Sequence, residues 1–207
     1  MVSTKENILI TALHLFAKDG YEAVSVSQIA GALDMTKGAL YRHYKSKRDI
    51  FNQIVERMER NDSTQAQQYD VPEDEKRNMP DKYEKVSLDN IIEYSKAMFE
   101  YWTEDDFASS FRKMLTIEQF RSEEMQGLYQ QYLSSGPAAY VKDLFESMGI
   151  AHAEENAVRF YATMYFYYSV YDGADDKEKV KNEFASAIGS MAQEWIKQPK
   201  LTQIRKS

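Results

Sequence analysis

The chain has 207 residues, 43% of them hydrophobic, and a net charge of −7; it can bury one large or two small cores and is too acidic on average to be a general nucleic-acid coat. It has no cysteine, and His14, His43 and His152 form no HxxxH or HExxH spacing, so disulfides, thiolate chemistry, a metal site and a cofactor are not expected. No apolar run reaches the roughly 18 residues of a membrane span, and the start MVSTKEN lacks the succession of a signal peptide; a cytoplasmic protein with no membrane partner is the expectation.

Taken in order, Ser3 with Glu6 three residues on reads as a capping box opening a helix whose stripe is Ile8, Leu9, Ala12, Leu13 and Phe16. Gly20 is expected as its left-handed C-cap, with Tyr21 packing back. His14 is expected to be exposed or helix-packed rather than chemical. Ser25 or Ser27 then caps a helix with Val26, Ile29, Ala30 and Leu33 at i, i+3, i+4 and i+7. Only Asp34 and Met35 remain before Thr36, a suitable N-cap for a further helix in which Leu40 and Tyr44 share a face. Two short helices around so tight a turn meet steeply, as in a helix-turn-helix.

Charge singles out the same stretch. Residues 1–60 carry nine Lys/Arg and seven Asp/Glu, a net +2 on a chain whose remainder is −9, and from Thr36 to Arg48 there are five cations and no acid. A basic run alone is often only a solvated face; this one coincides with the second helix and its exit.

Ser46 caps a linking helix with Ile50, Phe51, Ile54 and Val55, which passes Met58 and turns polar. Residues 67–85, with Pro72, Pro80 and many charges, carry too little apolar content for core and are expected as a loop. Ser87 caps a helix carrying Ile91, Ile92, Ser95, Met98, Phe99 and Trp102. Thr103 with Asp106 is read as the cap of the next, which carries Phe107, Phe111, Met114, Leu115 and Glu118. Glu118 shares the side of Phe107, Phe111 and Met114; a carboxylate there needs a partner, either Arg112 or Arg121 or a cationic ligand. A stretch from Met125 to Leu133 leads to Pro137 in the first turn of a helix ending at Gly149. Two long apolar-faced helices follow, about 153–171 and 177–197, and a polar tail beyond Pro199 is expected to fray. Such a hairpin buries one side in its own chain and offers the other to a symmetry mate.

The pattern IxxxAxxLFxxxGYEAxSVxxIAxALxxxxGALYRHYxSKRDIF, from Ile8 to Phe51, resembles the DNA-binding domain of the TetR family of bacterial transcriptional repressors. LYRHYKSK at Leu40 to Lys47 is its most specific part. Asp34 stands where the family often has glycine, and Asp tolerates the left-handed conformation better than most residues. A recognition helix enters the major groove by its N-terminal end, which offers Thr36, Lys37, Gly38 and Ala39; Lys37 is the candidate donor to guanine, and the smallness of Gly38 and Ala39 permits close approach. The resemblance implies sugar–phosphate contacts for Tyr41 and His43, with exposed Arg42 beside them, and a backbone contact for Lys47. Ser25 and Ser27 are expected to add phosphate contacts.

The expected fold is all-α: a helix-turn-helix domain over residues 1–45, a connecting helix over 46–66, a polar loop over 67–86, and an effector-binding and dimerisation domain over 87–207. Candidate effector contacts are Tyr94, Met98, Trp102, Phe107, Phe111, Met114, Glu118, Tyr161, Met164, Tyr165 and Tyr168, for an aromatic or cationic small molecule. Candidate dimer contacts are Phe160, Tyr167, Tyr171, Phe184, Ile188, Met191 and Trp195. The expected function is that of a repressor, not an enzyme: a homodimer on a double-stranded palindromic operator, released by its effector. The alternative is a DNA-binding dimer without an effector, regulated by protein partners or abundance.

Overall fold

The computed structural model describes residues 3–197, so the expected fraying beyond Pro199 lies outside the described residues. The fold is all-helical, as expected, with α1 (Thr4–Asp19), α2 (Val26–Ala32), α3 (Lys37–Tyr41), α4 (Lys47–Gln68), α5 (Pro80–Lys85), α6 (Leu88–Glu104), α7 (Asp106–Glu118), α8 (Glu123–Leu133), α9 (Ser135–Ser147), α10 (Ala153–Gly173) and α11 (Lys177–Lys197). Contacts divide it into two units, residues 3–62 with 104–129, and residues 63–103 with 130–197. The sequence places 87–207 in one domain; the contacts instead group 104–129 with the N-terminal helices, because α7 lies against α1.

In the first unit the α1 stripe Ile8, Leu9, Ala12, Leu13 and Phe16 is buried as its period requires. The core continues through Ile29, Leu40, Ile50, Phe51, Ile54 and Met58, and through Phe107, Phe111, Met114 and Leu115 of α7. Phe16, Tyr21 and Phe51 form an aromatic row, with centroids 5.1 and 4.9 Å apart. Ser3 Oγ accepts from Glu6 N at 3.2 Å, but only half of the expected capping box forms, because the Glu6 carboxylate pairs with Arg57 of α4. That guanidinium also lies 4.4 Å from the Phe107 ring centroid, so one side chain ties α1, α4 and α7. His14 is exposed on α1 and bonded to Asp106 of α7 at 2.8 Å. The true N-cap of α7 is Asp105, which accepts from Ala108 N at 2.8 Å. Thr103 is still inside α6, its hydroxyl donating to the Phe99 carbonyl, which corrects the expected cap.

Asp62 is half-buried on the same face of α4 as two buried residues, four positions beyond Met58 and four before Ala66. Its Oδ1 is buried with no hydrogen-bond partner, and burial, with Glu59 adding to it, pushes the carboxyl from 3.8 up to about 7. Between about pH 4 and 7 the folded chain then holds a proton that the unfolded chain has released, so Asp62 lowers stability as pH rises through that window. Asp62→Asn is expected to match the wild type at pH 4 and to exceed it by about 1–3 kcal/mol at pH 8 in urea unfolding; equal stability at both pH values would contradict this.

In the second unit Phe99 of α6 stacks on Phe184 (4.3 Å) and Tyr168 (5.6 Å) and meets Tyr171 edge-on (5.9 Å). Trp195 joins Phe145 and Phe160 at 4.6 and 5.7 Å. The expected loop is in part structured core. The chain leaves α4 through a Schellman turn with Asp70 at φ 52°, Asp70 N bonding Gln67 O and Val71 N bonding Ala66 O. Val71, Tyr83 and Val86 are buried; the Tyr83 hydroxyl donates to Asp74 O and that of Tyr140, on α9, to Pro72 O. Burial raises the pKa of both tyrosines, so they stay neutral donors. Helix α9 starts at Ser135, ahead of Pro137, and Gly136 is required there because a Cβ would collide with the Gln131 carbonyl oxygen.

Candidate DNA-binding surface

The two short helices are held by local chemistry. Ser25 and Gln28 form a reciprocal capping box at the start of α2, Gln28 N donating to Ser25 Oγ and Ser25 N to Gln28 Oε1. The turn is a second Schellman motif: Asp34 takes φ 53°, its N–H bonds Gly31 O, and Met35 N bonds Ala30 O. Aspartate thus supplies the left-handed residue that the turn needs. Thr36 caps α3, its Oγ1 accepting from Ala39 N at 3.2 Å. α3 itself ends at Tyr41, and tight turns through His43 and Tyr44 continue it.

Leu40 and Tyr44 anchor this segment in the core. The Tyr44 hydroxyl donates to Lys5 O at 3.1 Å, and burial, then Glu6 and Asp49, push its pKa up to about 12. The opposite face holds Thr36, Lys37, Gly38, Tyr41, Arg42 and His43, all exposed, Tyr41 to 49%; Ala39 is half-buried, and Ser25 and Ser27 are exposed at the start of α2. The hydroxyls of Ser25 and Thr36 are already engaged in capping. A Cβ on Gly38 would meet only Thr36 Oγ1, at 3.9 Å, so the fold leaves room there for a side chain that the sequence does not supply.

Lys47, expected on DNA backbone, is half-buried: its ammonium donates to Tyr21 O at 2.7 Å, lies 3.4 Å from Glu22 O and sits 4.3 Å from the Tyr21 ring centroid. It braces the α1–α2 connection, with one of its three N–H groups left to offer. Beside it Arg48 donates from Nη1 to both Glu124 oxygens of α8, at 2.7 and 2.8 Å. Sequence reasoning counted Arg48 in the basic run but not among the contacts, and no local signal marks a partner 76 residues away.

The other two expected groups are spread more widely. The eleven effector candidates do not all belong to one unit. Phe107, Phe111, Met114 and Glu118 pack in the first, while Tyr94, Met98, Trp102, Tyr161, Met164, Tyr165 and Tyr168 belong to the second. Glu118 is 1% exposed and its Oε2 has no hydrogen-bond partner, so the expected arginine does not reach that oxygen. Of the dimer candidates, Phe160, Tyr171, Phe184, Ile188 and Trp195 are buried within their own chain, which leaves them no surface to share, and Tyr167 and Met191 are half-buried. The exposed apolar side chains of this hairpin are instead Val158, Tyr165, Phe166 and Ile196, with Phe166 exposed to 61%.

An exposed cationic segment on a short second helix, braced from behind by a three-helix core, defines a helix-turn-helix protein. Residues 8–54 match the family described as bacterial regulatory proteins, tetR family. The HTH-type transcriptional regulator AcrR of Shigella flexneri is 43% identical over 58 residues, spanning 28% of this chain and 27% of that protein; the chain thus matches about a quarter of that relative's length. Across nearly the whole chain the fold is similar to that of a transcriptional regulator of the TerR/AcrR family from Aquifex aeolicus, with a TM-score of 0.68, 18% identity and coverage of 91% of this chain and 99% of that one. The SmeT–triclosan complex, SmeT being the repressor of a Stenotrophomonas maltophilia multidrug efflux pump, gives a TM-score of 0.63 at 16% identity, covering 92% and 90%. The match to the tetR family model thus covers residues 8–54, the segment that holds most of α1, all of α2 and α3 and the start of α4. Among the described residues no helix is long and apolar enough to cross a membrane.

Proposed function

We propose that the chain is a cytoplasmic transcriptional repressor, not an enzyme, that binds a palindromic DNA operator as a homodimer and is released by a small molecule held in its second unit. The observation that carries the DNA-binding part is Gly38. Glycine in a helix costs about 0.5–1 kcal/mol relative to alanine, and among the described residues nothing requires it here; a close approach by DNA at the start of the recognition helix would. Its neighbour Lys37 is exposed and cationic, suited to donate to guanine O6 or N7, with Tyr41, Arg42 and His43 beside it for sugar–phosphate contacts.

In this reading the dimer forms through the exposed stripe Val158, Tyr165 and Phe166 of α10 with Ile196 of α11. Two recognition helices then sit about 34–36 Å apart, matching successive major grooves, and an effector favouring a different spacing releases DNA by population shift. The triclosan complex of SmeT supports an aromatic effector, and Tyr94, Met98, Trp102, Tyr161, Met164 and Tyr168 are the side chains to receive it.

Gly38→Ala is expected to leave the melting temperature unchanged or slightly raised while weakening DNA binding, measured by thermal unfolding and by anisotropy on a labelled duplex. Lys37→Ala should relax sequence preference at one base position by about 1–3 kcal/mol, whereas Lys47→Ala should weaken all sequences alike and also lower thermal stability, since it removes the Tyr21 brace. If Lys37→Ala and Lys47→Ala behave identically, the division of roles is wrong. Operator affinity titrated with aromatic and cationic compounds, triclosan among them, tests induction; affinity that no compound changes would favour the regulator without an effector.

A further inference from the structure

We infer that Glu124 is an internal stand-in for a DNA phosphate: in the unbound protein it occupies Arg48, the last cation of the basic segment, and DNA binding exchanges that carboxylate for a backbone phosphate. The inference rests on the DNA-binding reading above.

Arg48 and Lys47 are neighbours at the start of α4 and share the Tyr21 ring, their charged groups lying 5.6 and 4.3 Å from its centroid. They are held in different ways. Lys47 is fixed by backbone carbonyls of the α1–α2 connection, which DNA cannot displace without disturbing the fold. Arg48 rests on Tyr21 and Phe51, 5.6 and 5.4 Å from their centroids, and its ion pair is with the removable side chain of Glu124, Glu22 adding a weaker attraction. Both bonds leave from Nη1, so the rest of a five-donor fork is not used by the carboxylate. The hydrogen bond to Glu124 is the main cause raising the Arg48 pKa.

An Arg–carboxylate pair and an Arg–phosphate pair have the same donor geometry. Each side chain of this pair is about half exposed, 47% and 51%, and such surface pairs contribute little to stability. Swapping one oxyanion for another there costs little. A contact that hardly stabilises the fold, yet holds a cation of the recognition segment from a helix 76 residues away, sets how readily that cation meets DNA. Anything that moves the start of α8 adjusts the head's affinity through it.

The test uses the full chain and one fixed mixed-sequence duplex, with affinities measured from 50 to 200 mM salt, conditions in which backbone contacts dominate. Glu124→Gln is expected to bind several-fold tighter than wild type with an unchanged salt slope, because Arg48 meets phosphate in both. Arg48→Gln should flatten the slope by about 0.9 and abolish the effect of Glu124→Gln in the double variant. Glu123→Gln removes an equal charge one residue away, from a side chain that is exposed; it is the control for general electrostatics. Glu124→Gln no tighter than Glu123→Gln, or an unchanged slope in Arg48→Gln, would overturn the inference. Salt-insensitive or absent binding by the wild type would instead overturn the DNA-binding reading on which it rests.

Discussion

Replacing Gly20 with alanine is expected to lower the unfolding free energy by about 2–5 kcal/mol, combining backbone strain with overpacking. Gly20 closes α1 at φ 89° and ψ 148°, a region open essentially to glycine alone. A Cβ there would also collide with Oε1 of Glu118, with the Ile117 side chain 3.5 Å away. Glu118 is 1% exposed, so its carboxylate has nowhere cheap to go. The two causes separate in a double-mutant cycle by urea unfolding: Glu118→Ala in the Gly20→Ala background should recover the collision and leave the φ strain. A loss below about 1 kcal/mol for Gly20→Ala would mean that the end of α1 and the end of α7 can move apart, and that α7 is not seated on α1 as described.

The second large effect is expected at Phe99. Its ring is 1% exposed and touches Tyr168, Tyr171 and Phe184, joining α6 to both helices of the last hairpin. Phe99→Ala removes this hub and should cost about 3–5 kcal/mol, with part of that from ring–ring geometry beyond area. Phe99→Leu, which keeps most of the volume, should cost clearly less. Tyr167→Ala, at a half-buried ring that meets Phe184 at 5.8 Å, is the comparison and should cost less than Phe99→Ala. Equal losses for Phe99→Ala and Tyr167→Ala would contradict the assignment of one as core and the other as rim.

What the sequence made legible was whatever depends on residues a few positions apart. The α1 stripe, the caps at Ser25 and Thr36, and the left-handed residue at Asp34 all appear where spacing put them: the stripe follows the helical repeat, and the caps and the turn close on backbone groups at most five residues away. Partners far along the chain were not legible. Periodicity shows that Phe160 and Phe166 lie on an apolar helix, but not that the first is 1% exposed and the second 61%; both faces of α10 are aromatic, and only packing against α9 and α11 separates core from free surface. Residues 67–86 read as a loop because charges outnumber apolar side chains, yet Val71 and Tyr83 suffice to hold them, with two tyrosine hydroxyls meeting backbone carbonyls. Glu118 with Gly20 and Glu124 with Arg48 are long-range pairs, for which composition and spacing carry no signal.

For the recognition segment, ten expected contacts fall within residues 25–47 of one unit, eight of them exposed, with Ala39 and Lys47 half-buried. Repression by a homodimer requires that surface to read DNA as a symmetric pair. Selection of bound sequences from a random duplex pool by the purified chain tests it most directly. The expected result is enrichment of a palindrome with half-sites centred about one helical turn or a multiple of it apart, with preference at one base of each half-site lost in Lys37→Ala. No enrichment, or an enriched sequence without two-fold symmetry that is indifferent to Lys37→Ala, would contradict it.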